Sequence, residues 1–146
     1  MTTLYTIGFT KKSLEEFAAL LREAGVDAVI DTRLRPRSQL AGYANQRDLP
    51  FILDLLGIDY EHRPELAPTK DVLDSYRGGG TWEEYVGVFR PLIEAREIVA
   101  TGHELLARYR APCLLCSEHT ADHCHRRLVA EYWAEEIPDL EIVHLC

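Results

Sequence analysis

Ala111-Pro112-Cys113-Leu114-Leu115-Cys116 is a short apolar run, Ser117-Glu118-His119-Thr120-Ala121-Asp122-His123-Cys124 is dense in reactive side chains, and His125-Arg126-Arg127 then opens a stretch with Leu128, Val129, Tyr132 and Trp133 at helical spacing. The three pieces read as a buried strand, a loop and an amphipathic helix. In parallel α/β proteins ligands bind in the crevice at the carboxyl ends of the strands, where the next helix offers free N–H groups and the positive end of its dipole. The loop therefore marks the first place to look for chemistry.

The same alternation recurs outward from this junction. Leu4–Gly8 is a β-rich run, and Ser13-Leu14-Glu15-Glu16 has capping-box spacing before the apolar stripe Leu14, Phe17, Leu20 and Leu21. Gly25 marks the end of that helix, and Ala28-Val29-Ile30-Asp31 follows as a second strand with a carboxylate at its end. Asp48–Leu56 predicts a helix with Pro50 in its first turn, and Ile58-Asp59-Tyr60 a strand running toward His62. Thr69–Tyr76 predicts a short helix, and Gly78-Gly79-Gly80 a surface turn or the hinge of a lid. Thr81-Trp82-Glu83-Glu84 repeats the capping-box spacing ahead of Tyr85, Val88, Phe89, Leu92 and Ile93, a helix expected to bend or split at Pro91. A further helix runs through Leu105 and Leu106, and Glu141–Leu145 closes the chain as a fifth strand. Strands alternating with helices at this spacing predict one domain over 1–146, a three-layer α/β sandwich with a mainly parallel sheet of about five strands and helices on both faces.

Composition narrows the function classes. The chain has 146 residues, 47% of them hydrophobic, with no apolar stretch approaching the roughly 18 residues that span a bilayer. Its N-terminus lacks the basic and apolar regions of a signal peptide, so a cytoplasmic protein is expected. A net charge of -8 argues against coating nucleic acid through a broad basic face. Basic residues are nevertheless concentrated at Arg33, Arg35 and Arg37 and at Arg126-Arg127, a pattern suited to a compact phosphate or carboxylate. The four cysteines are too few and too uneven for a disulfide scaffold, which makes reduced thiols the expectation.

A parallel sheet places the ends of its strands on one edge, bringing Asp31, Arg33, Cys116 and Glu118 together with Cys124, His125 and Arg126 at the mouth of the last helix. Asp31 or Glu118 then reads as general acid or base, Cys116 or Cys124 as nucleophile or polar support, and His125 as a further catalytic position. Cys116 reads as a nucleophile activated by arginines and a helix N-terminus, or as an inert buried cysteine. A structural Asp31–Arg33 ion pair is the competing view of those two residues. Cys113-Leu114-Leu115-Cys116 is discounted as a redox pair because alternate strand residues three apart point to opposite faces. The cysteine-to-arginine spacing of phosphotyrosine phosphatases is absent, since Asp122 stands six positions after Cys116. Cys116, His119, His123, Cys124 and His125 offer zinc-type donors, but in no zinc-finger spacing, and no metal is assigned.

Tyr5-Thr6-Ile7-Gly8, Asp31-x-Arg33-x-x-Pro36-x-Ser38, Pro64-Glu65-Leu66 and Cys116-x-Glu118-x5-Cys124-His125-Arg126 resemble, in order and spacing over essentially the whole chain, the domain of unknown function 488 family. The resemblance implies a small bacterial or archaeal α/β domain and marks Gly8, Asp31, Arg33, Pro36, Ser38, Cys116, Glu118, Cys124, His125 and Arg126 as signature positions. It implies no activity. Phe9 stands where family members often have histidine, and Arg35 where an aromatic commonly precedes the proline.

Three functions follow as expectations. The first is an enzyme, of hydrolase or transferase type, acting on a small anionic or nucleotide-like substrate. In it Gly8, Arg33, Ser38, Cys124 and Arg126 bind and Asp31, Cys116, Glu118 and His125 react. The second is a non-catalytic module for a nucleotide or a nucleic-acid end, and the third a thiol or metal sensor. No cofactor, membrane partner or oligomeric state is read from the sequence.

Overall fold

The computed structural model describes residues 2–36, 41–118 and 121–146. Five strands form one wholly parallel sheet: β1 (Thr2–Gly8), β2 (Ala28–Asp31), β3 (Asp59–His62), β4 (Pro112–Cys116) and β5 (Leu140–Leu145), in the order β3-β2-β4-β1-β5. Between them run α1 (Leu14–Ala24), α2 (Leu49–Leu55), α3 (Lys70–Arg77), α4 (Trp82–Ala95), α5 (Ile98–Arg108) and α6 (His125–Glu136). The architecture is the expected three-layer α/β sandwich.

Local chemistry sets the element ends. Ser13 accepts from the Glu16 N–H while Glu16 bonds back to the Ser13 N–H, and Gly25 closes α1 in the left-handed region at φ 73°. Thr81 caps α4 by accepting from the Glu84 N–H. The expected split at Pro91 does not occur. The helix continues through it, because Tyr85, Phe89 and Ile93 on its buried face hold both halves against the core.

Alternation along the strands then builds two cores. Phe17 and Leu21 of α1 and Leu49 and Leu53 of α2 pack on the sheet face carrying Ile7, Val29, Cys113 and Leu115. The other face, with Leu4, Ala28, Ile30 and Leu114, is covered by Phe89, Ile93, Ile98, Leu105, Val129 and Trp133 from α4, α5 and α6, with α3 packed alongside. At Gly102 of α5 a Cβ would lie 2.9 Å from the Trp133 ring, so only glycine lets the two helices close.

Strand order positions the site. The connections after β1 and β2 travel toward the β3 edge and carry α1 and α2 on one face; those after β3 and β4 travel toward the β5 edge and carry α3 to α6 on the other. Neighbouring strands β2 and β4 thus send the chain in opposite directions. A crevice opens where such connections diverge, and here it opens beside Asp31-Thr32-Arg33 and Cys116-Ser117-Glu118.

Candidate functional site

A cavity of about 410 Å³ occupies this crevice. Its sheet side is formed by Arg33, Leu34 and Arg35 after β2 and by Cys116, Ser117, Glu118, His123, Cys124 and His125 around the β4–α6 loop. Lys70, Asp74, Tyr76 and Arg77 of α3, with Tyr85 of α4, form the facing wall.

Arg33 is held at the cavity by a buried clamp. Its Nε and Nη2 donate to Asp31 Oδ1 and Oδ2 at 2.8 and 2.7 Å, and Nη2 also donates to the Ala44 carbonyl at 2.6 Å. The Arg33 N–H donates to Asp31 Oδ1, the Tyr60 hydroxyl to Asp31 Oδ2 at 2.6 Å, and the guanidinium lies over the Phe9 ring. Burial, followed by the Asp31 hydrogen bond, pushes the Tyr60 phenol up, so it remains a proton donor to the carboxylate. Of the Arg33 guanidinium nitrogens, the buried Nη1 has no hydrogen-bond partner among the described residues.

Arg126 forms the second buried anchor. It rises from the first turn of α6, fully buried, and donates through Nε to Thr6 Oγ1 at 3.2 Å and through Nη1 to Cys116 Sγ at 2.9 Å and to the Glu118 carbonyl at 3.0 Å. Gly8, level with Cys116 in the β1–β4 register, lies beneath the same carbonyl. Loop, strand and helix are therefore tied at one point.

His125 donates through Nε2 to the Thr32 carbonyl at 2.8 Å, which leaves Nδ1 as its acceptor nitrogen. Thr32 Oγ1, 3.0 Å from the same Nε2, donates to the Leu115 carbonyl. Burial lowers the imidazole from 6.5 to about 4, so it is neutral at physiological pH. The unfolded chain takes up this proton on acidification before the folded chain does; stability is therefore lost as pH falls from about 6.5 toward about 4. Urea unfolding of wild type and His125→Asn checks this: the acid-induced loss between about pH 7 and about pH 5 should be smaller in the variant by about 2 kcal/mol. An equal loss in both would remove His125 as the acid-sensitive group.

Of the residues singled out by sequence, Arg33, Cys116, Glu118, Cys124 and His125 line the cavity. Asp31, Gly8 and Arg126 lie behind it and position others; Asp31 is fully buried, with both oxygens engaged by Arg33 and Tyr60. The competing view of Asp31 and Arg33 as an ion pair describes their geometry. Ser38 and His119 fall outside the described residues. The expectation of four reduced thiols is corrected: Cys116 and Cys124 are joined as a disulfide, while Cys113 and Cys146 are free. Among the described residues no group of three or more His, Cys, Asp or Glu side chains is placed to hold a metal.

Sequence reasoning missed Lys70, Arg77, Tyr76 and Tyr85. Lys70 donates to Asp74 at 2.8 Å and lowers its carboxylate, with Arg77 and Arg35 adding to the effect, so the four charges form one group. Their only sequence signal was helical spacing on α3 and α4. Beside them Tyr76 and Tyr85 meet at 5.0 Å between ring centres, Trp82 stacks on Tyr85, and His123 packs on Trp82.

No helix among the described residues is long and apolar enough to cross a membrane. No curated protein and no solved structure matches the chain. The family model described as Domain of unknown function DUF488 matches residues 13–133, a span that takes in every signature motif except Tyr5–Gly8. On that match, covering most of its length and both strand ends that build the cavity, the chain belongs to the DUF488 family.

Proposed function

We propose that the cavity is the reaction site of an enzyme acting on a small phosphorylated, nucleotide-like anion. The observation that carries this reading is the gathering of Arg33, Arg35, Lys70 and Arg77 around one cavity, against Asp74 and Glu118, in a chain of net charge -8. Cations collected at one point of an acidic protein focus the local potential and favour an anion there. Arg35 and Arg77 are exposed and have no ion-pair partner among the described residues, so binding an anion breaks no existing pair. Arg33, clamped by Asp31, lines the same cavity, and its buried Nη1 has no hydrogen-bond partner among the described residues.

The other wall supplies the rest of the reading. Tyr76, partly exposed at the cavity and backed by the buried Tyr85, offers a ring on which a base can stack. Glu118 and the Nδ1 of neutral His125 are the groups suited to moving a proton at the substrate, while Asp31 and Arg126 hold Arg33 and the β4–α6 loop in place.

Isothermal titration with inorganic phosphate, AMP and ADP at about 50 and about 300 mM salt tests the assignment. Arg35→Ala and Arg77→Ala should each weaken nucleotide binding ~tenfold, about 1.4 kcal/mol, with melting temperature unchanged because both side chains are exposed. Glu118→Gln should keep binding and lose turnover in a substrate screen. Binding with no turnover for any nucleotide substrate would favour the non-catalytic module. Equal affinity in wild type and both arginine variants would overturn the site.

A further inference from the structure

Arg126 is a fully buried cation whose hydrogen-bond partners among the described residues are all neutral in the oxidised protein. They are the Thr6 hydroxyl, the Glu118 backbone carbonyl and the sulfur of Cys116, and Nη2 has no hydrogen-bond partner among the described residues. No carboxylate lies within ion-pair distance of it among the described residues. A buried charge without a counter-charge is costly. One group at hydrogen-bond distance can become an anion, and it is Cys116, whose Sγ lies 2.9 Å from Nη1.

Cys124 completes the arrangement. It is the residue immediately before α6, it is joined to Cys116, and both sulfur-bearing residues line the cavity although they are only 2% and 1% exposed. On the sheet side of the cavity that Cys116 and Cys124 line, the charged or titratable groups among the described residues are Arg33, Arg35, Glu118, His123 and His125. Cys113 differs. It sits among apolar side chains on the opposite sheet face, where burial pushes its thiol up.

We infer that Cys116 and Cys124 are a redox-active pair that exchanges with low-molecular-weight disulfides, Cys116 attacking as an Arg126-paired thiolate and Cys124 resolving. In the first step the Cys116 thiolate attacks one sulfur of the small disulfide. That S–S bond breaks, one small thiolate leaves, and a mixed disulfide forms at Cys116. In the second, Cys124 releases its proton to solvent and attacks Cys116 Sγ, expelling the other small thiolate, which takes up a proton. The protein dithiol is oxidised by two electrons and the small disulfide is reduced to two thiols; excess small thiol runs the sequence backward. The inference stands on other residues than the cationic cluster and goes beyond the anion site.

Equilibration of the full chain across ratios of reduced to oxidised glutathione, followed by acid quench, alkylation in denaturant and intact mass measurement, tests it. The four cysteines take four labels in the reduced protein and two in the oxidised one. A reversible step between four and two labels is expected, and Cys116→Ser or Cys124→Ser should each abolish it. In Cys124→Ser the remaining Cys116 should hold a glutathione adduct and alkylate at about pH 6 ~tenfold faster than the same thiol in the unfolded chain, an excess lost in Cys124→Ser/Arg126→Gln. If the double variant does not fold, the single variant's rate still decides. Four labels at every ratio, or a Cys116 in Cys124→Ser no faster than in the unfolded chain, would overturn the inference. Retained nucleotide binding in that case would leave the anion site standing.

Discussion

Gly8→Ala should unfold the site and much of the protein with it. A Cβ at position 8 would lie 1.4 Å from the Glu118 carbonyl oxygen, 2.6 Å from its carbon and 3.0 Å from Arg126 Nη1. The first two neighbours are backbone, so no rotamer change relieves the overlap. The loop must lift, and lifting it parts the carbonyl from the buried Arg126 that it satisfies. Overpacking of this kind, added to a weakened buried hydrogen bond, should cost at least ~3 kcal/mol, read as a fall of about 10 °C in melting temperature. Gly87→Ala is the matched control, because a Cβ there meets nothing within 4 Å and lies in α4, where alanine is the better helix former. It should leave stability unchanged or raise it by up to about 1 kcal/mol. Equal stability of the two variants would show that the β4–α6 loop does not lie over Gly8.

Asp31→Asn should be comparably damaging by a different physical route. The substitution keeps the shape and removes the charge, leaving the Arg33 guanidinium, itself 6% exposed, without its counter-ion. Breaking one side of a buried pair costs about 3–5 kcal/mol, whereas removing both partners costs less. Arg33→Met on the Asp31→Asn background should therefore recover part of the lost stability, and urea midpoints of the two single variants and the double variant measure the coupling. Nucleotide affinity should not return, since the restored fold lacks the guanidinium. A loss below about 1 kcal/mol for Asp31→Asn would mean that the pair is solvated and that Asp31 is available for chemistry.

These two residues show how far sequence carries in this protein. The period-two and helical patterns, the Ser13–Glu16 box and the Gly25 stop are local signals, and each produced its element within a residue or two. The convergence of Arg33, Cys116, Glu118, Cys124 and His125 was legible too, because a parallel sheet puts all its strand ends on one edge. Burial partners were not legible. Asp31 reads as an acid–base group until Tyr60 and Arg33 are seen to occupy its oxygens, and Gly8 reads as a ligand contact until the Glu118 carbonyl is seen above it. Lys70 and Arg77 escaped because only the crossover from β3 to β4 turns α3 toward the cavity, and nothing in the local sequence of a short helix reports that. The Cys116–Cys124 link was hidden for the same reason: it depends on the path of a loop.

On the function proposed here, the end of β2 and the β4–α6 loop build one anion-binding cavity with α3. A crystal of the protein soaked with ADP is the decisive test. The phosphates should appear against Arg33, Arg35 and Arg77, with the base toward Tyr76 and Tyr85. ADP bound elsewhere on the molecule with this cavity vacant, or no bound ADP at a concentration that saturates in solution, would contradict it.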